Sequence, residues 1–506
     1  MTDLTLIPAT NAPIPAEPFI GKHLIDGAWV ESADGAWFER HSPAHGDLIS
    51  RSAQGGVAET EAAIAAARRA FDAGDWAFSS GADRAKILLR VADLIDEKRD
   101  QIALIETLES GKPISQAKAE IDGAADLWRY AAALARTMHG DSHNSLGPDM
   151  LGLVLKEPIG VVSLITPWNF PFLIISQKLP FALAAGCTAV VKPSEMTPST
   201  TVILGGLLQE AGLPAGVVNI VLGYGDPVGA LMSTHADVDM VSFTGSTGVG
   251  KRISAAASET LKKVSLELGG KNPQVIFPDA DLDAAADAIT FGIYFNAGEC
   301  CNSGSRIIVH EDIAEALTEK VVALSRRVPF GDPLDPKTQV GAIISPEHQA
   351  KIDGYVKQAV AAGATLALGG AALDLEGMDG QFYGPTVVTG VTPEMPIASE
   401  EVFGPVLSVL TFRDMEGAIS LANSASYGLS AGVWSRDVHT CLAFSRRVQA
   451  GTVWTNTWMD GFAELPFGGV KQSGQGRELG RYGLEEFLEV KTVQMRIGDT
   501  RAPWVA

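Results

Sequence analysis

IGVVSLITPWNFPFLIISQKLPFALAAGCTAVVK, residues 159–192, decides the fold. Two short, β-branched, apolar runs, IGVVSLI (159–165) and TAVVK (188–192), flank a segment of helix length. The same texture returns in GVVNIVL (216–222), MVSFTG (240–245) and VSLELGG (264–270). Strands that are apolar throughout and alternate with helices belong to a parallel sheet covered on both faces. Their spacing of about 25 to 30 residues fits repeated βαβ units. A second series follows with QVIF (274–277) and RIIVH (306–310), then helices over roughly 312–328 and 346–363. The expectation is α/β: two doubly wound parallel-sheet domains with a boundary near residue 270.

Outward from this region the patterns are simpler. Residues 60–74 are Ala-rich and helical, and residues 83–110 carry Ile87, Val91, Leu94 and Ile95 on one stripe, then Ile102, Ile105 and Leu108. Gly111 and Pro113 stop that helix. The stretch before residue 60 reads as an irregular arm. Near the C-terminus EVKTVQMRI (489–497) alternates as a strand does.

A chain of 506 residues exceeds one core, so two or three domains are expected. Its net charge of −21 argues against nucleic acid and anionic membranes as partners, since both select clustered Lys and Arg. No apolar run is long enough for a membrane span, and residues 1–20 have acids and prolines where a leader would have a basic start and an apolar core. Cys187, Cys300, Cys301 and Cys441 are too few and scattered for a disulfide framework, which points to a reducing, cytoplasmic compartment.

Five motifs carry chemistry. FTGSTGVG (243–250) follows a strand and opens a helix, so its backbone N–H groups can meet a phosphate. GYGDPVG (223–229) is a second Gly-rich turn in the same sheet, and two such turns at strand ends are where a nucleotide lies. KPSE (192–195) sets Lys192 and Glu195 where they can bond ribose hydroxyls, and a glutamate there disfavours a 2′-phosphate. Glu267, in LELGGKNP (266–273), sits in an apolar strand; a carboxylate in such a site has a raised pKa and can act as a general base. TPWNFP (166–171) offers the Asn169 amide to an oxyanion. Each has a bland alternative: a tight turn, a surface charge, a solvent-facing strand end.

FNAGECCNSGSR (295–306) pairs two cysteines among small residues. With no CxxC and no His pair nearby, no metal site is expected. A bond between neighbouring cysteines is strained. A nucleophile fits better, because small neighbours leave room for substrate. Burial as a small hydrophobe is the plain alternative.

Taken together these motifs resemble the NAD(P)-dependent aldehyde dehydrogenase superfamily, in family order from about residue 20 to 495, with EEVFGPV (400–406) and PFGGVKQSGQGRELG (466–480) completing the set. The resemblance implies a Rossmann-like NAD-binding domain over 1–140 and 159–269, a catalytic domain over 270–483, and a small β-extension over 141–158 and 484–506 that joins subunits into a homodimer or homotetramer. It selects Cys301, three residues after Gly298, as nucleophile and leaves Cys300 as neighbour. It makes Glu267 the general base, Asn169 and the Cys301 N–H the oxyanion hole, and Glu478 with Lys178 a proton-relay pair. It implies cofactor contacts from Ile165, Trp168, Lys192, Ser194, Glu195, Gly225, Gly229, Phe243, Gly245, Ser246, Leu268, Glu401 and Phe403. The implied cofactor is NAD ahead of NADP. The implied reaction is aldehyde oxidation to a free carboxylate, because members that use coenzyme A in place of water tend to lack the glutamate. A coenzyme A-acylating enzyme and a non-catalytic binding member are the rivals.

NTW (456–458) is similar to the betaine-aldehyde and aminoaldehyde dehydrogenases, in which aromatic faces hold an ammonium group. Phe170, Phe295 and Trp458 match pocket aromatics. Gln177 departs from the Trp usual in that subfamily, which opens the pocket to hydroxyaldehydes or semialdehydes.

Overall fold

The computed structural model describes residues 4–10, 12–498, 504 and 505. The ends of the expected cofactor domain and extension (1–3, 11, 499–503 and 506) lie outside the described residues.

Strand Val161–Ile165 runs through the middle of the first sheet with every residue buried. Val161 and Ile165 pack with Ala63 and Ile64 of helix Val57–Ala73 and Ile253 of helix Thr247–Ala257. Val162 and Leu164 pack on the opposite face with Leu94, Trp128, Ile175 and Leu204. Burial on both faces explains the lack of apolar/polar alternation. Each such Val, Leu or Ile contributes roughly 1.5–3 kcal/mol by leaving water.

Across the sheet the order is Gly474–Gln475, Lys263–Glu267, Met240–Thr244, Val161–Ile165, Thr188–Lys192, Val218–Ile220, His23–Ile25 and Ala28–Val30. The strands from Lys263–Glu267 to Val218–Ile220 are parallel. In chain order they read 5-4-1-2-3, so the winding reverses between Val161–Ile165 and Met240–Thr244. The crevice beyond the carboxyl ends of strands at such a reversal is where ligands bind.

The second sheet begins after residues 268–272, with Pro273–Ile276. It runs Thr365–Leu368, Thr386–Thr389, Val406–Phe412, Arg306–His310, Pro273–Ile276, Ser430–Trp434 and Thr452–Thr455, parallel except for the first. Helices Leu282–Tyr294, Ala314–Ser325 and Pro346–Ala361 cover one face, and Met415–Asn423 and Val438–Arg447 the other. Strand Met150–Pro158 pairs antiparallel with both Asp141–His143 and Leu488–Arg496 in a third sheet, which leaves Val490 65% exposed.

The residues before 60 are more ordered than an irregular arm. They form strands of two to six residues. His23–Ile25 and Ala28–Val30 extend the first sheet, and Leu6–Ile7 pairs with Phe330–Gly331 beside the second lobe. Strands this short show too few alternations to register as a period of two. Gly474–Gln475 is likewise too short to read, and it ties the late chain to the first sheet.

Candidate active site

The cysteine loop leaves helix Leu282–Tyr294 through Asn296 and Ala297, both at positive φ, and enters strand Arg306–His310. Asn272 fastens it: Nδ2 donates to the carbonyls of Cys301 (2.7 Å) and Ser303 (3.0 Å), while Oδ1 accepts from the Ser430 N–H. Gly270 makes this approach possible, since a Cβ there would lie 2.6 Å from the Cys301 oxygen. Cys300 is buried against Phe170 and Ile174; Cys301 is half-buried. A hydrogen bond with Cys300, burial and the Glu401 and Glu267 carboxylates push the Cys301 thiol well above its usual pKa, so it rests protonated.

Glu267 ends its strand 3% exposed, and neither carboxyl oxygen has a hydrogen-bond partner. Gly468 faces it so closely that a Cβ would sit 2.5 Å from Oε1. Burial, with the Glu478 charge adding to it, lifts the Glu267 carboxyl well above the usual carboxylate range. Glu478 is itself ion-paired to Lys178, which also donates to Ser242 Oγ at 2.9 Å. The solvent-facing alternative for Glu267 is therefore excluded, and the two relay candidates are in contact. Asn169 is buried, and its Nδ2 donates to the Glu299 carbonyl at 3.0 Å, two residues before Cys301.

The proposed cofactor residues gather at the winding reversal. Lys192 is buried at the end of Thr188–Lys192, its Nζ 2.8 Å from the Pro193 carbonyl and 3.6 Å from Glu195. Gly229 faces Lys192 and Ile165, and Gly225 is open. Ser194 is buried, its hydroxyl accepting from the Met196 N–H. Ser246 begins helix Thr247–Ala257 without a side-chain cap. The Gly245 N–H donates to the Glu267 carbonyl, which ties the glycine turn to the end of that strand. Phe243 underlies Gly245, and Leu268 packs against Gly250. Across the crevice Glu401 accepts from the Gly270 N–H at 3.0 Å. Phe403 sits at φ 62° with its ring 5.5 Å from Trp168.

Beside the cysteine loop Phe170 and Phe295 stack at 5.9 Å, with Met459 alongside. Gln177 is half-buried on helix Pro171–Ala185. Trp458 is only 4% exposed: Gly292, Gly304 and Gly432 enclose its ring. A cavity of about 890 Å³ meets this wall at Leu173, Phe291 and Phe295.

Sequence reasoning gave no role to Asn272, Asn296, Glu299 or His348. Asn296 donates to the carbonyls of Asn169 and Glu299, and His348 bonds the Phe403 carbonyl at 2.7 Å. Burial lowers His348 to about 4, so it is a neutral donor at physiological pH. Asn272 lies inside LELGGKNP and could have been weighed there; His348 has no local signal. Among the described residues no cluster of three or more His, Cys, Asp or Glu is placed to hold a metal, and no helix is long and apolar enough to cross a membrane.

Residues 29–493 match the model of the aldehyde dehydrogenase family. The chain is 43% identical to the betaine aldehyde dehydrogenase of Bacillus subtilis (strain 168), over 95% of this chain and 98% of the relative. Its structure superposes on a crystal structure of an NAD-dependent aldehyde dehydrogenase from Sinorhizobium meliloti with a TM-score of 0.97, at 49% identity and 100% coverage of both chains. It also superposes on betaine aldehyde dehydrogenase from Staphylococcus aureus in complex with NAD+, with a TM-score of 0.93, 41% identity, and coverage of 96% of this chain and 97% of that one. Matches of this length and identity, on a site already assembled by the fold, leave one conclusion: the chain belongs to the aldehyde dehydrogenase family.

Proposed function

We propose that this chain oxidises an aldehyde to the free carboxylate with NAD as hydride acceptor and water as final nucleophile. The observation that carries the reading is the Glu267 carboxyl: buried, unpartnered, raised in pKa and electrostatically coupled to the half-buried Cys301 thiol.

The crevice suits a dinucleotide. The uncapped start of helix Thr247–Ala257 leaves N–H groups for a phosphate. Lys192 and Glu195 would bond the adenosine-ribose hydroxyls, and Glu401, fastened to the Gly270 N–H, would with Phe403 hold the nicotinamide ribose and ring. Ile165, Trp168, Ser194, Gly225, Gly229, Phe243, Gly245, Ser246 and Leu268 complete the proposed cradle. NAD, when bound there, supplies a hydride acceptor.

The protein's own groups do the rest. Glu267, a stronger base than an exposed glutamate, draws the proton from Cys301. The thiolate adds to the aldehyde carbon, and the Asn169 amide and Cys301 N–H stabilise the oxyanion. Hydride loss leaves a thioester on Cys301. Glu267 then deprotonates a water that attacks it; the C–S bond breaks and Cys301 departs as thiolate. The Lys178–Glu478 pair takes protons onward from Glu267.

The domain division expected from sequence is retained as a proposal, with Gly474–Gln475 and Leu6–Ile7 crossing between lobes. The β-extension is proposed to join subunits into a homodimer or homotetramer. A cytoplasmic location is proposed from four cysteines that are all free. For the substrate, the Phe170–Phe295 stack and the similarity to betaine aldehyde dehydrogenases support a cationic aldehyde. The burial of Trp458 and the presence of Gln177 favour a second reading, a hydroxyaldehyde or semialdehyde.

NADH formation without coenzyme A, over betaine aldehyde, an aminoaldehyde, succinic semialdehyde, a hydroxyaldehyde and an aliphatic aldehyde, tests both levels. Turnover that needs coenzyme A, or none with any aldehyde, defeats the main proposal. A tenfold kcat/KM advantage for a cationic aldehyde, about 1.4 kcal/mol, selects the first substrate reading, and its absence selects the second.

A further inference from the structure

Lys112 lies between helices Gly81–Ser110 and Ile114–Thr137 and is 2% exposed. Its Nζ is 2.9 Å from Glu106 Oε1, 2.5 Å from Glu120 Oε2, and 4.4 Å from the centre of the Phe170 ring. Burial alone would lower its pKa, but Glu106 and Glu120 outweigh it and keep the ammonium charged, while burial and the Glu106 charge hold Glu120 well above the usual carboxylate range. A desolvated cation over an aromatic face is held by the ring quadrupole, and most strongly where water is excluded.

What it touches matters. Phe170 is the wall residue that stacks on Phe295 and packs against Cys300. It also begins helix Pro171–Ala185 and directly follows Asn169. Glu120, Gln116, Leu173 and Phe295 line the 890 Å³ cavity on this side. Phe170 itself, 6% exposed, stands behind Leu173 and Phe295 of that cavity, held between the Phe295 ring on one side and the ammonium on the other.

We propose that Lys112 is a positioning residue for the substrate wall: Glu106 and Glu120 fix its ammonium, the ammonium pins the Phe170 ring, and the ring orients the apolar part of the aldehyde beside Cys301. Phe170 as a wall rests on the aldehyde-oxidising reading above.

A double-mutant cycle tests this. Lys112→Met, Phe170→Leu, the double variant and Lys112→Arg are compared, each corrected for its folded fraction by titrating Cys301. Lys112→Met should raise KM for an aliphatic aldehyde about tenfold with kcat within about twofold. Lys112→Arg should stay within about threefold of the parent. On the Phe170→Leu background, Lys112→Met should change kcat/KM by less than about twofold. An equal effect on both backgrounds, a loss confined to kcat, or no effect overturns the proposal. A second readout needs no turnover: the rate of Cys301 alkylation by phenacyl bromide relative to iodoacetamide. That ratio should fall in Lys112→Met and be the same in Phe170→Leu and the double variant; a ratio unmoved by Lys112→Met overturns the proposal. A parent enzyme that forms no NADH refutes the oxidation reading instead, and the alkylation ratio then decides the role of Lys112.

Discussion

Two neighbouring sulfurs differ in what surrounds them. Cys300 packs into an apolar cluster, while Cys301 is half-buried under the influence of Glu267 and Glu401. Residue chemistry alone did not choose between them; the family spacing from Gly298 did. Cys301→Ala should abolish NADH formation while NAD binding persists, and Cys300→Ala should keep activity; steady-state rates with calorimetry check this, and turnover by Cys301→Ala means the wrong sulfur was chosen. The pH dependence follows from the same two groups. Glu267 and Cys301 are both shifted upward and both work deprotonated. The value of kcat/KM should therefore rise from neutral pH into the alkaline range, and a profile that falls across that range contradicts the assignment.

At the scale of elements, the apolar strands were legible because burial on two faces removes the alternation that would otherwise confuse them. Helix Gly81–Ser110 was legible from its stripe and its stop: Gly111 takes the left-handed cap at φ 82°. The strands before residue 60 were not, and neither was the fastening of the cysteine loop, because a hydrogen bond between residues 272 and 301 leaves no periodic trace. Asn272→Ala removes two donors from that loop. Misplacing a nucleophile by about 1 Å lowers a rate on the order of 10²-fold, so kcat should fall by that order while alkylation of Cys301 by iodoacetamide continues. An unchanged kcat would show that the loop holds its shape without Asn272.

In the whole molecule, the site exists because two lobes meet. The 166–169 turn, Glu267 and the 245–246 turn come from the first sheet, and the cysteine loop and Glu401 come from segments of the second. The sequence motifs named nearly all of these residues, and the resemblance paired Lys178 with Glu478, but the contacts of Gly245 with Glu267 and of Lys112 with Phe170 left no trace there. Cofactor choice belongs to this scale as well. If Glu195, 3.6 Å from Lys192, is the proposed ribose ligand, its carboxylate repels a 2′-phosphate. NAD should exceed NADP in kcat/KM, and equal values would remove that role.

The central claim is that Glu267 releases an acyl group from Cys301 to water. Glu267→Gln, mixed with NAD and an aldehyde without coenzyme A, should form NADH slowly, since Cys301 loses its base too, up to one equivalent per site, then turn over on the order of 10²-fold or more slower than the parent, with the acyl mass found on the Cys301 peptide by mass spectrometry. Full turnover with an unmodified Cys301 peptide would contradict the claim.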